Sequence, residues 1–517
     1  MSQGSPLKTN KMIRAISGAA LCVAGLAIGL PSRYHSQTFR VEAGGCRLIT
    51  TIVEPARGEP RGYVVLLHGL SANARIMSYL TAGFASLDLR VFVPDLPGHG
   101  RTAGPFTYDR SEKCSENLVR ELIQHGLLDP EKTILAGHSL GGADALRAAS
   151  AVSVAGVIAI SPAPMRPLPG VSPEMIPFHE FGTLPPHSLV MSAAWEPKRV
   201  RDAAKELVPV PGDGTSQYVV IPRSSHVSIL FDSRAMAVAE KWAAQVLHLE
   251  TPSSLPSHRG VLGFFAGFAG ILLLAGPFLR ETLQSKPAPE PETSARVSLG
   301  RSIVEAGIVG LGAVGLLSYG NPLRALHLFQ GGYFASFLLV LGVVLLFLHG
   351  SSLPKLFQAS GSDSTPSMLR YRTPLLAAFA ATLLFLLISA WIDLTFSEAW
   401  LTAARWARFL PFALAVLPYH AAEEILLGPA APGHALRRLL TSLAFRLVAW
   451  GAIVAGIFFL HSGAILLVLL APYFALFCVL QALAQHVVRE VTASPAASSV
   501  FGAILLAGFC LVVFPTT

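Results

Sequence analysis

The sequence predicts an α/β domain with a mostly parallel sheet, followed by an all-α transmembrane bundle. Three observations support this prediction. Residues 32–257 alternate short apolar runs with helix-like stretches, which is typical of a parallel sheet covered by helices on both faces. Residues 258–517 contain long apolar segments instead. A mean hydropathy of +0.54 with only 14% charged residues is too apolar for a wholly soluble chain of 517 residues.

The N-terminal apolar segment runs from residue 12 to residue 30 and follows Lys8, Lys11 and Arg14. This pattern is typical of a signal peptide or a signal anchor, and its length of about nineteen residues favours the anchor. We therefore predict three parts of the chain: a signal-anchor helix at 1–31, an α/β domain at 32–257 and a polytopic transmembrane domain at 258–517.

The C-terminal part contains eight apolar segments that are long enough for membrane helices. They lie at about 260–279, 302–318, 331–349, 374–395, 407–428, 440–460, 463–484 and 497–515. Only a short turn at His461 separates the sixth of these segments from the seventh. The two form either a helical hairpin or one span followed by an interfacial helix.

Basic residues in the loops predict the orientation of the chain in the membrane. If the N-terminus is cytoplasmic, thirteen basic residues lie on the inner side: Lys8, Lys11, Arg14, Arg280, Lys286, Arg296, Arg301, Lys355, Arg370, Arg372, Arg437, Arg438 and Arg489. Six lie on the outer side: Arg33, Arg40, Arg259, Arg324, Arg405 and Arg408. This excess places the α/β domain on the extracytoplasmic side. Because the basic residues are scattered, the net charge of +8 does not indicate nucleic-acid binding.

Six strand-like runs define the sheet of the α/β domain. They are Tyr63–Leu67, Val91–Val93, Thr133–Leu135, Gly156–Ile160, Ser188–Met191 and Tyr218–Ile221. The first of them, YVVLL, is a continuous apolar run of the kind that is buried on both faces of a parallel sheet.

The sequence GHSLG at residues 137–141 follows the strand-like TILA and precedes the helix-like GADALRAAS. A serine in G-x-S-x-G at a strand-to-helix turn is exposed by a sharp backbone bend that small flanking residues permit. The pattern therefore predicts Ser139 as a nucleophile.

A nucleophilic serine needs a base and an acid that orients the base. His226 follows the last strand-like run, where the chain order Ser, acid, His places the base. Glu196 follows the strand-like run that begins at residue 188, and we favour it as the acid. Asp202 and Asp213 lie in the same interval and stay open as alternatives. Backbone N–H groups of Leu70 and Leu140 are the predicted oxyanion donors.

Four motifs, LLHGLSANA, VPDLPGHGRT, LAGHSLGGADALRAA and SSHVSILFD, resemble the α/β-hydrolase superfamily, especially its monoglyceride-lipase-like and serine-aminopeptidase-like branch. The resemblance covers about residues 41–246 and implies a doubly wound sheet. The family usually has Asp at the acid position, after a glycine-containing turn, where this chain has AAWE. The roles that the resemblance implies are Ser139 as nucleophile, His226 as base, Glu196 as acid, and Leu70 and Leu140 as oxyanion donors.

The five cysteines have no metal-ligand spacing. Cys46 and Cys114 are the pair that could meet as a disulfide, although neither their spacing nor the number of cysteines requires it. We predict neither a metal nor a cofactor.

The apolar segment at 407–428 contains LPYHAAEEILLG, whose spacing places His420, Glu423 and Glu424 near one helix face. With His461 they could bind a metal, and the motif looks a little like that of CAAX-protease-like intramembrane peptidases. We favour the alternative, in which these groups either lie near the helix ends, close to the lipid headgroups, or pair with basic residues for structure. The two candidates for this pairing are Arg437 and Arg446.

The favoured function is a membrane-bound serine hydrolase that cleaves a lipid or other acyl ester, with membrane lipids as its further partners. The alternatives are serine aminopeptidase activity, a transporter or lipid-handling protein with an accessory hydrolase fold, and an intramembrane metalloprotease. Only about 25 residues separate Ile160 from Ser188, which leaves little room for a helical cap over the site. The oligomeric state is not predicted.

Overall fold

The computed structural model describes residues 6–29, 34–55, 58–165, 187–208, 216–250, 255–283, 299–350, 367–428, 435–460 and 464–517. They divide into two compact units. The sheet unit consists of Leu26–Phe264, Ile392–Ala399 and Pro515–Thr517. The helical unit consists of Met1–Gly25, Phe265–Trp391 and Trp400–Phe514. The domain boundaries at residues 31 and 257 stay a prediction. The sheet unit also includes two short segments that follow residue 257, Ile392–Ala399 and Pro515–Thr517.

One sheet of eight strands forms the centre of the sheet unit, in the order β1-β2-β4-β3-β5-β6-β7-β8. The strands are β1 Ser36–Ala43, β2 Cys46–Val53, β3 Gly62–Leu67, β4 Leu89–Pro94, β5 Thr133–His138, β6 Gly156–Ile160, β7 Ser188–Ala193 and β8 Gln217–Ile221. β3 to β8 pair in parallel, whereas β2 is antiparallel to both β1 and β4. The predicted mostly parallel α/β fold is confirmed. Strands β1 and β2 were not among the six predicted runs.

Among the described residues of the sheet unit, five helices accompany the sheet: Ser78–Ser86, Tyr108–Gln124, Leu140–Ala151, Lys198–Lys205 and Ser233–Val246. The second of them is capped by Thr107, which directly precedes it and whose hydroxyl accepts a hydrogen bond from the Arg110 N–H at 3.1 Å. The central strands are apolar on both faces, and side chains such as Val64, Leu66 and Ile158 are fully buried. Each buried side chain of this size stabilises the fold by about 1.5–3 kcal/mol.

A disulfide joins Cys46 to Cys114, with 5.7 Å between their Cα atoms. It connects the first residue of β2 to the helix Tyr108–Gln124. The sequence left this pairing open.

Nine of the described helices are long and apolar enough to cross a membrane. They are Pro6–Gly29, Arg259–Thr282, Leu299–Leu317, Gly331–Leu348, Ser367–Thr395, Ala403–Leu427, Ala435–Phe459, Ala471–Thr492 and Pro495–Val513. Each corresponds to one predicted apolar segment, and a short helix at Ile465–Leu469 precedes the eighth. Close packing depends on small residues: a Cβ on Gly342 would lie 2.2 Å from the Tyr419 nitrogen, and one on Gly508 would lie 2.4 Å from Phe385.

Candidate active site

Ser139 occupies the turn between β5 and the helix Leu140–Ala151. Its φ of 54° and ψ of −116° place it in the left-handed half of φ/ψ space, which is strained for a residue with a side chain. The Ser139 N–H donates to the Ile160 carbonyl at 3.0 Å, and its own carbonyl accepts from the Ala163 N–H at 2.8 Å. These bonds hold the strained turn in place.

Gly137 and Gly141 flank this turn because neither position has room for a side chain. A Cβ on Gly137 would lie 2.1 Å from the Gly141 carbonyl oxygen. A Cβ on Gly141 would lie 2.4 Å from the carbonyl oxygen of Leu67, at the end of β3. The two glycines of G-x-S-x-G therefore permit the helix to start directly against the sheet.

A histidine and a glutamate complete a line of contacts with Ser139. The Nε2 atom of His226 lies 3.0 Å from the Ser139 Oγ, and its Nδ1 atom lies 2.6 Å from the Glu196 Oε1. The His226 side chain is 36% exposed and that of Glu196 only 2%. Solvent and substrate can therefore reach the imidazole, while the carboxylate behind it is shielded.

Glu196 ends the tight turn that follows β7. Its backbone N–H donates to the Ala193 carbonyl at 3.1 Å, and its Oε2 accepts from the Ala193 N–H at 2.9 Å. The alternative Asp202 is exposed on the helix Lys198–Lys205, and Asp213 lies outside the described residues. The carboxylate that contacts His226 is that of Glu196, and its catalytic role stays a prediction.

His138 was not singled out from the sequence, although it directly precedes Ser139. Its Nε2–H donates to the His226 carbonyl at 2.7 Å, and the two imidazole centroids are 4.8 Å apart. Burial, and then repulsion by His226, lowers the pKa of His138 to about 3. His138 is therefore neutral at physiological pH and tethers the backbone of the histidine beside it.

The turn after β3 passes beside the nucleophile. A Cβ on Gly69 would lie 3.2 Å from the Ser139 Cβ, so Leu70 follows the point of closest approach. Leu140 is the first residue of the helix after Ser139. Within the described residues, neither the Leu70 nor the Leu140 N–H donates a hydrogen bond. Two backbone donors are thus available near the serine, as an oxyanion site requires.

Two buried histidines brace this turn against the loop after β4. His68 Nε2 accepts from the Leu96 N–H at 2.9 Å, and its Nδ1 bonds the Gly69 carbonyl at 2.8 Å. His99 Nε2 accepts from the Ser71 N–H at 3.1 Å. Burial lowers the pKa of His68, which favours the neutral ring that can accept at Nε2. Both histidines lie in the motifs LLHGLSANA and VPDLPGHGRT, where no role was assigned to them.

The helical unit contains a second cluster of buried polar groups, around Glu423. Its Oε1 accepts from the Ser442 hydroxyl at 2.6 Å and from Arg446 Nε at 2.8 Å. Its Oε2 lies 3.1 Å from Arg446 Nη2 and 3.3 Å from His420 Nδ1. The pairing with Arg446 is the structural alternative that the sequence left open.

Glu424 also has basic partners, and they are Arg438 and, at 3.6 Å, Arg489. Arg438 Nη2 lies 2.5 Å from Glu424 Oε2, and the Ser498 hydroxyl donates to Oε1 at 2.7 Å. Arg437, the other candidate, is exposed. His461 lies outside the described residues. The described part of the chain contains no group of three or more potential metal-binding side chains.

Residues 64–248 match the sequence model of the Alpha/beta hydrolase family. The chain is 37% identical over 100 residues to the magnesium-chelatase 30 kDa subunit of Rhodobacter capsulatus, covering 19% of this chain and 34% of that protein. It is 32% identical over 101 residues to monoacylglycerol lipase of Mycolicibacterium smegmatis, covering 19% of this chain and 36% of that protein. The chain thus spans about a third of the length of these curated relatives.

A soluble variant of monoglyceride lipase from Saccharomyces cerevisiae, solved with a substrate analogue, has a similar structure. The TM-score is 0.32 at 13% identity, and the match covers 41% of this chain and 95% of that chain. The family match coincides with the strands from β3 onward and includes Ser139, Glu196 and His226. Residues 64–248 therefore form a domain of the alpha/beta hydrolase family.

Proposed function

We propose that this protein is a membrane-bound serine hydrolase that cleaves a lipid or other acyl ester through an acyl-enzyme on Ser139. The observation that carries the proposal is the line of contacts from Glu196 through His226 to the Ser139 Oγ, at 2.6 and 3.0 Å. Acyl transfer needs a base on the nucleophile and an acid that orients this base.

In the first half of the reaction, His226 Nε2 takes the proton from the Ser139 Oγ as this oxygen attacks the ester carbonyl carbon. The carbonyl oxygen becomes an oxyanion and accepts hydrogen bonds from the Leu70 and Leu140 N–H groups. Glu196 keeps the proton of His226 on Nδ1 and stabilises the imidazolium. The imidazolium then protonates the alcohol oxygen, the carbon–oxygen bond breaks and the alcohol leaves.

In the second half, a water molecule attacks the acyl-enzyme and gives its proton to His226 Nε2. The second tetrahedral intermediate uses the same two N–H donors. His226 returns the proton to the Ser139 Oγ as the bond to the acyl carbon breaks, and the carboxylic acid is released. The neutral His138 helps both steps by holding the backbone of His226 through its 2.7 Å bond to the carbonyl.

An ester substrate is favoured over a peptide for two reasons. One of the curated relatives is a monoacylglycerol lipase. The chain also has helices long and apolar enough for a membrane on both sides of the catalytic sequence, so lipid esters would lie within reach. Aminopeptidase activity is the alternative, and cleavage of aminoacyl amides without any ester hydrolysis by the purified protein would favour it.

Contacts within the sheet unit favour nine membrane crossings over eight. Thr516, which follows the ninth apolar helix, accepts from the Phe106 N–H at 2.7 Å and donates to the Gly98 carbonyl at 3.0 Å. Residues that follow the first and the ninth of nine crossings lie on the same side of a membrane. Eight crossings, with one helix lying in the interface, would place Thr516 on the opposite side from Gly98. The contacts therefore favour the helical hairpin on both sides of residue 461.

The side on which the sheet unit lies follows from two independent features. The basic residues in the loops favour a cytoplasmic N-terminus, and hence an extracytoplasmic sheet unit. The disulfide between Cys46 and Cys114 supports the same side, because such bonds persist in oxidising compartments.

The proposal is tested by labelling the full-length protein in detergent with a fluorescent fluorophosphonate, which reacts with activated serines. Wild type is expected to label in seconds to minutes and Ser139→Ala not at all. Ser86→Ala is the matched control, because Ser86 lies in the same domain at similar partial burial and its hydroxyl bonds the Gly83 carbonyl and the Glu240 side chain rather than His226.

Labelling of Ser139→Ala at the wild-type rate would exclude Ser139 as the nucleophile and overturn the proposal. Loss of labelling in Ser86→Ala would show instead that the probe reports folding rather than the nucleophile. Circular dichroism and detergent gel filtration of both variants establish that each is folded.

A further inference from the structure

A short segment that begins in the last turn of the fifth apolar helix and continues beyond its end belongs to the sheet unit. This segment is Ile392–Ala399, and we call it the 392–399 segment. The buried side chain of Asn73 holds its backbone from both sides. Asn73 Nδ2 donates to the Ser397 hydroxyl at 2.9 Å and to the Glu398 carbonyl at 3.2 Å, while Oδ1 accepts from the Glu398 N–H at 3.2 Å.

Asn73 also directly follows the turn that carries Leu70. The Ala72 N–H donates to the Gly69 carbonyl at 3.1 Å and closes this turn. Asn73 then caps the short helix Ala74–Met77, which begins directly after it. The 392–399 segment is thus attached to the turn beside Ser139 at the point where the turn ends.

A pair of carboxyl groups makes the second attachment. Asp95 accepts from the Ala74 N–H at 2.8 Å and from the Arg101 N–H at 2.9 Å, so it fixes the same turn from the side of β4. Glu398 is buried beside it and lies 3.1 Å from Arg101 Nε. Burial, and then the neighbouring Asp95, raises the pKa of Glu398 to about 8, whereas Arg101 and Arg75 oppose this rise. Glu398 therefore keeps its proton at neutral pH.

The third attachment is on the other side of the site. Phe396 stacks on Phe231 with 5.6 Å between ring centroids, and on Phe264 with 4.4 Å. Phe231 is the last residue of the short helix Ser228–Phe231, which begins just after His226. The same eight-residue segment therefore contacts both the turn with the proposed oxyanion donor and the segment with the proposed base.

We propose that the 392–399 segment is a positioning element of the active site, with Asn73 and Glu398 as positioning residues that fix the turn carrying the Leu70 N–H. The inference rests on the proposed function, since positioning matters only if Ser139 reacts. None of these residues contacts the triad, so they act through the turn. An oxyanion donor stabilises the transition state more than the bound substrate, and a misplaced one lowers kcat rather than raising KM.

The first test replaces Asn73 in the full-length protein in detergent and measures hydrolysis of p-nitrophenyl butyrate. Asn73→Ala is expected to lower kcat by about tenfold, because a displaced oxyanion donor loses part of its contribution, while KM stays within about twofold. Asn73→Asp keeps the acceptor for the Glu398 N–H and is expected to recover part of the loss. The fluorophosphonate labelling rate is expected to fall in parallel with kcat.

Ser111→Ala is the matched control for lost stability. It removes a buried hydrogen bond of the same domain, from the Ser111 hydroxyl to Asp144 at 2.7 Å, away from this turn. A kcat that falls equally in Asn73→Ala and Ser111→Ala, in step with their thermal unfolding temperatures, would overturn the proposal.

The second test is the pH profile of Glu398→Gln. In wild type, Glu398 is protonated in the folded protein up to pH about 8, and its ionisation above that pH adds a second negative charge beside Asp95. The expected result is a fall in the wild-type kcat above pH about 8 that is absent in Glu398→Gln, whose amide cannot ionise. Arg101 and Arg75 are the cations that face this pair. If kcat falls in the same way above pH about 8 in wild type and in Glu398→Gln, the positioning role of Glu398 is overturned.

The two proposals fail in different ways. If Ser139→Ala keeps full labelling and activity, the proposed function fails and the positioning role fails with it. If Ser139→Ala is inactive but Asn73→Ala matches wild type in kcat and labelling rate, only the positioning role fails.

Discussion

The sheet unit and the helical unit each contain a histidine in contact with a buried glutamate. His226 Nδ1 lies 2.6 Å from Glu196, and His420 Nδ1 lies 3.3 Å from Glu423. Both carboxylates are shielded from solvent, with side chains 2% and 1% exposed. The two pairs differ in everything around them, and this difference separates a candidate catalytic pair from a structural one.

Glu196 has no cation in contact with it other than the imidazole, among the described residues, and the far nitrogen of that imidazole faces a hydroxyl. Glu423 receives two bonds from Arg446, and the far nitrogen of His420 lies 3.5 Å from the amide nitrogen of Gln481. A guanidinium neutralises its carboxylate permanently, whereas an imidazole can gain and lose a proton. A His–Glu contact therefore indicates catalysis only when its second nitrogen faces a nucleophile and its carboxylate has no arginine.

The largest expected effect tests directly whether the two histidines differ in function. His226→Gln is expected to lower kcat for p-nitrophenyl butyrate by about ten-thousandfold or more, because Ser139 loses its base. His420→Gln is the matched variant in the other unit and is expected to keep the wild-type kcat. A large loss of kcat in His420→Gln, in protein that is still folded, would contradict the structural reading of the second pair.

A smaller loss is expected from Glu196→Gln. The amide cannot stabilise the imidazolium, so kcat is expected to fall by about a thousandfold. Asp202→Asn is the matched control, because Asp202 was one of the two alternative acids and is exposed on its helix. If kcat falls in Asp202→Asn and not in Glu196→Gln, the acid has been assigned to the wrong carboxylate.

Arg446→Met tests whether the ion pair with Glu423 stabilises the helical unit. Removing one partner leaves Glu423 buried with an uncompensated charge, which is expected to lower the free energy of unfolding by about 3 kcal/mol. The double variant Arg446→Met with Glu423→Gln removes both charges and is expected to recover most of this loss. Denaturant unfolding in mild detergent measures both. A single variant as stable as wild type would contradict the ion pair as a structural contact.

The smallest expected effect concerns the disulfide, which belongs to the sheet unit alone. Replacing Cys46 and Cys114 with serine is expected to lower the stability of that unit by about 2 kcal/mol, because the unfolded chain regains its freedom. The measurement is the temperature at which ester hydrolysis is lost. Cys22→Ser is the control, since Cys22 is a free cysteine. Equal inactivation temperatures in all three proteins would show that the bond contributes little.

The sequence predicted the parallel core of the sheet because its signals are local. Runs such as the one at 63–67 are apolar on both faces, which is typical of a buried parallel strand. The motif GHSLG indicates a nucleophile when a strand precedes it and a helix follows it. Strand β1, Ser36–Ala43, was missed because it is mostly exposed and its side chains are mixed in polarity. Ser139 and His226 could be assigned from motif and chain order. Glu196 was favoured from the sequence with Asp202 and Asp213 left as alternatives, because all three carboxylates lie in one interval, and the fold adds the contact between Glu196 and His226.

The contacts that the sequence could not predict join residues far apart in the chain. Asn73 and Glu398 are separated by 325 positions and lie in stretches of unlike composition. Nothing in the local pattern of either stretch indicates the other, so the pair could be found only in three dimensions. His138 is different, because its place directly before the nucleophile was visible and only its bond to the His226 carbonyl was not.

The contact between Thr516 and Gly98 has a consequence for how the protein is made. The two residues are 418 positions apart, and a Cβ on Gly98 would lie 2.4 Å from the Thr516 carbonyl oxygen. A ribosome finishes strands β1 to β8 long before it reaches Pro515–Thr517. The nascent sheet unit must therefore wait, with the loop after β4 unfinished, until the last apolar helix has been synthesised. Completion of the sheet unit is thereby tied to synthesis of the last apolar helix.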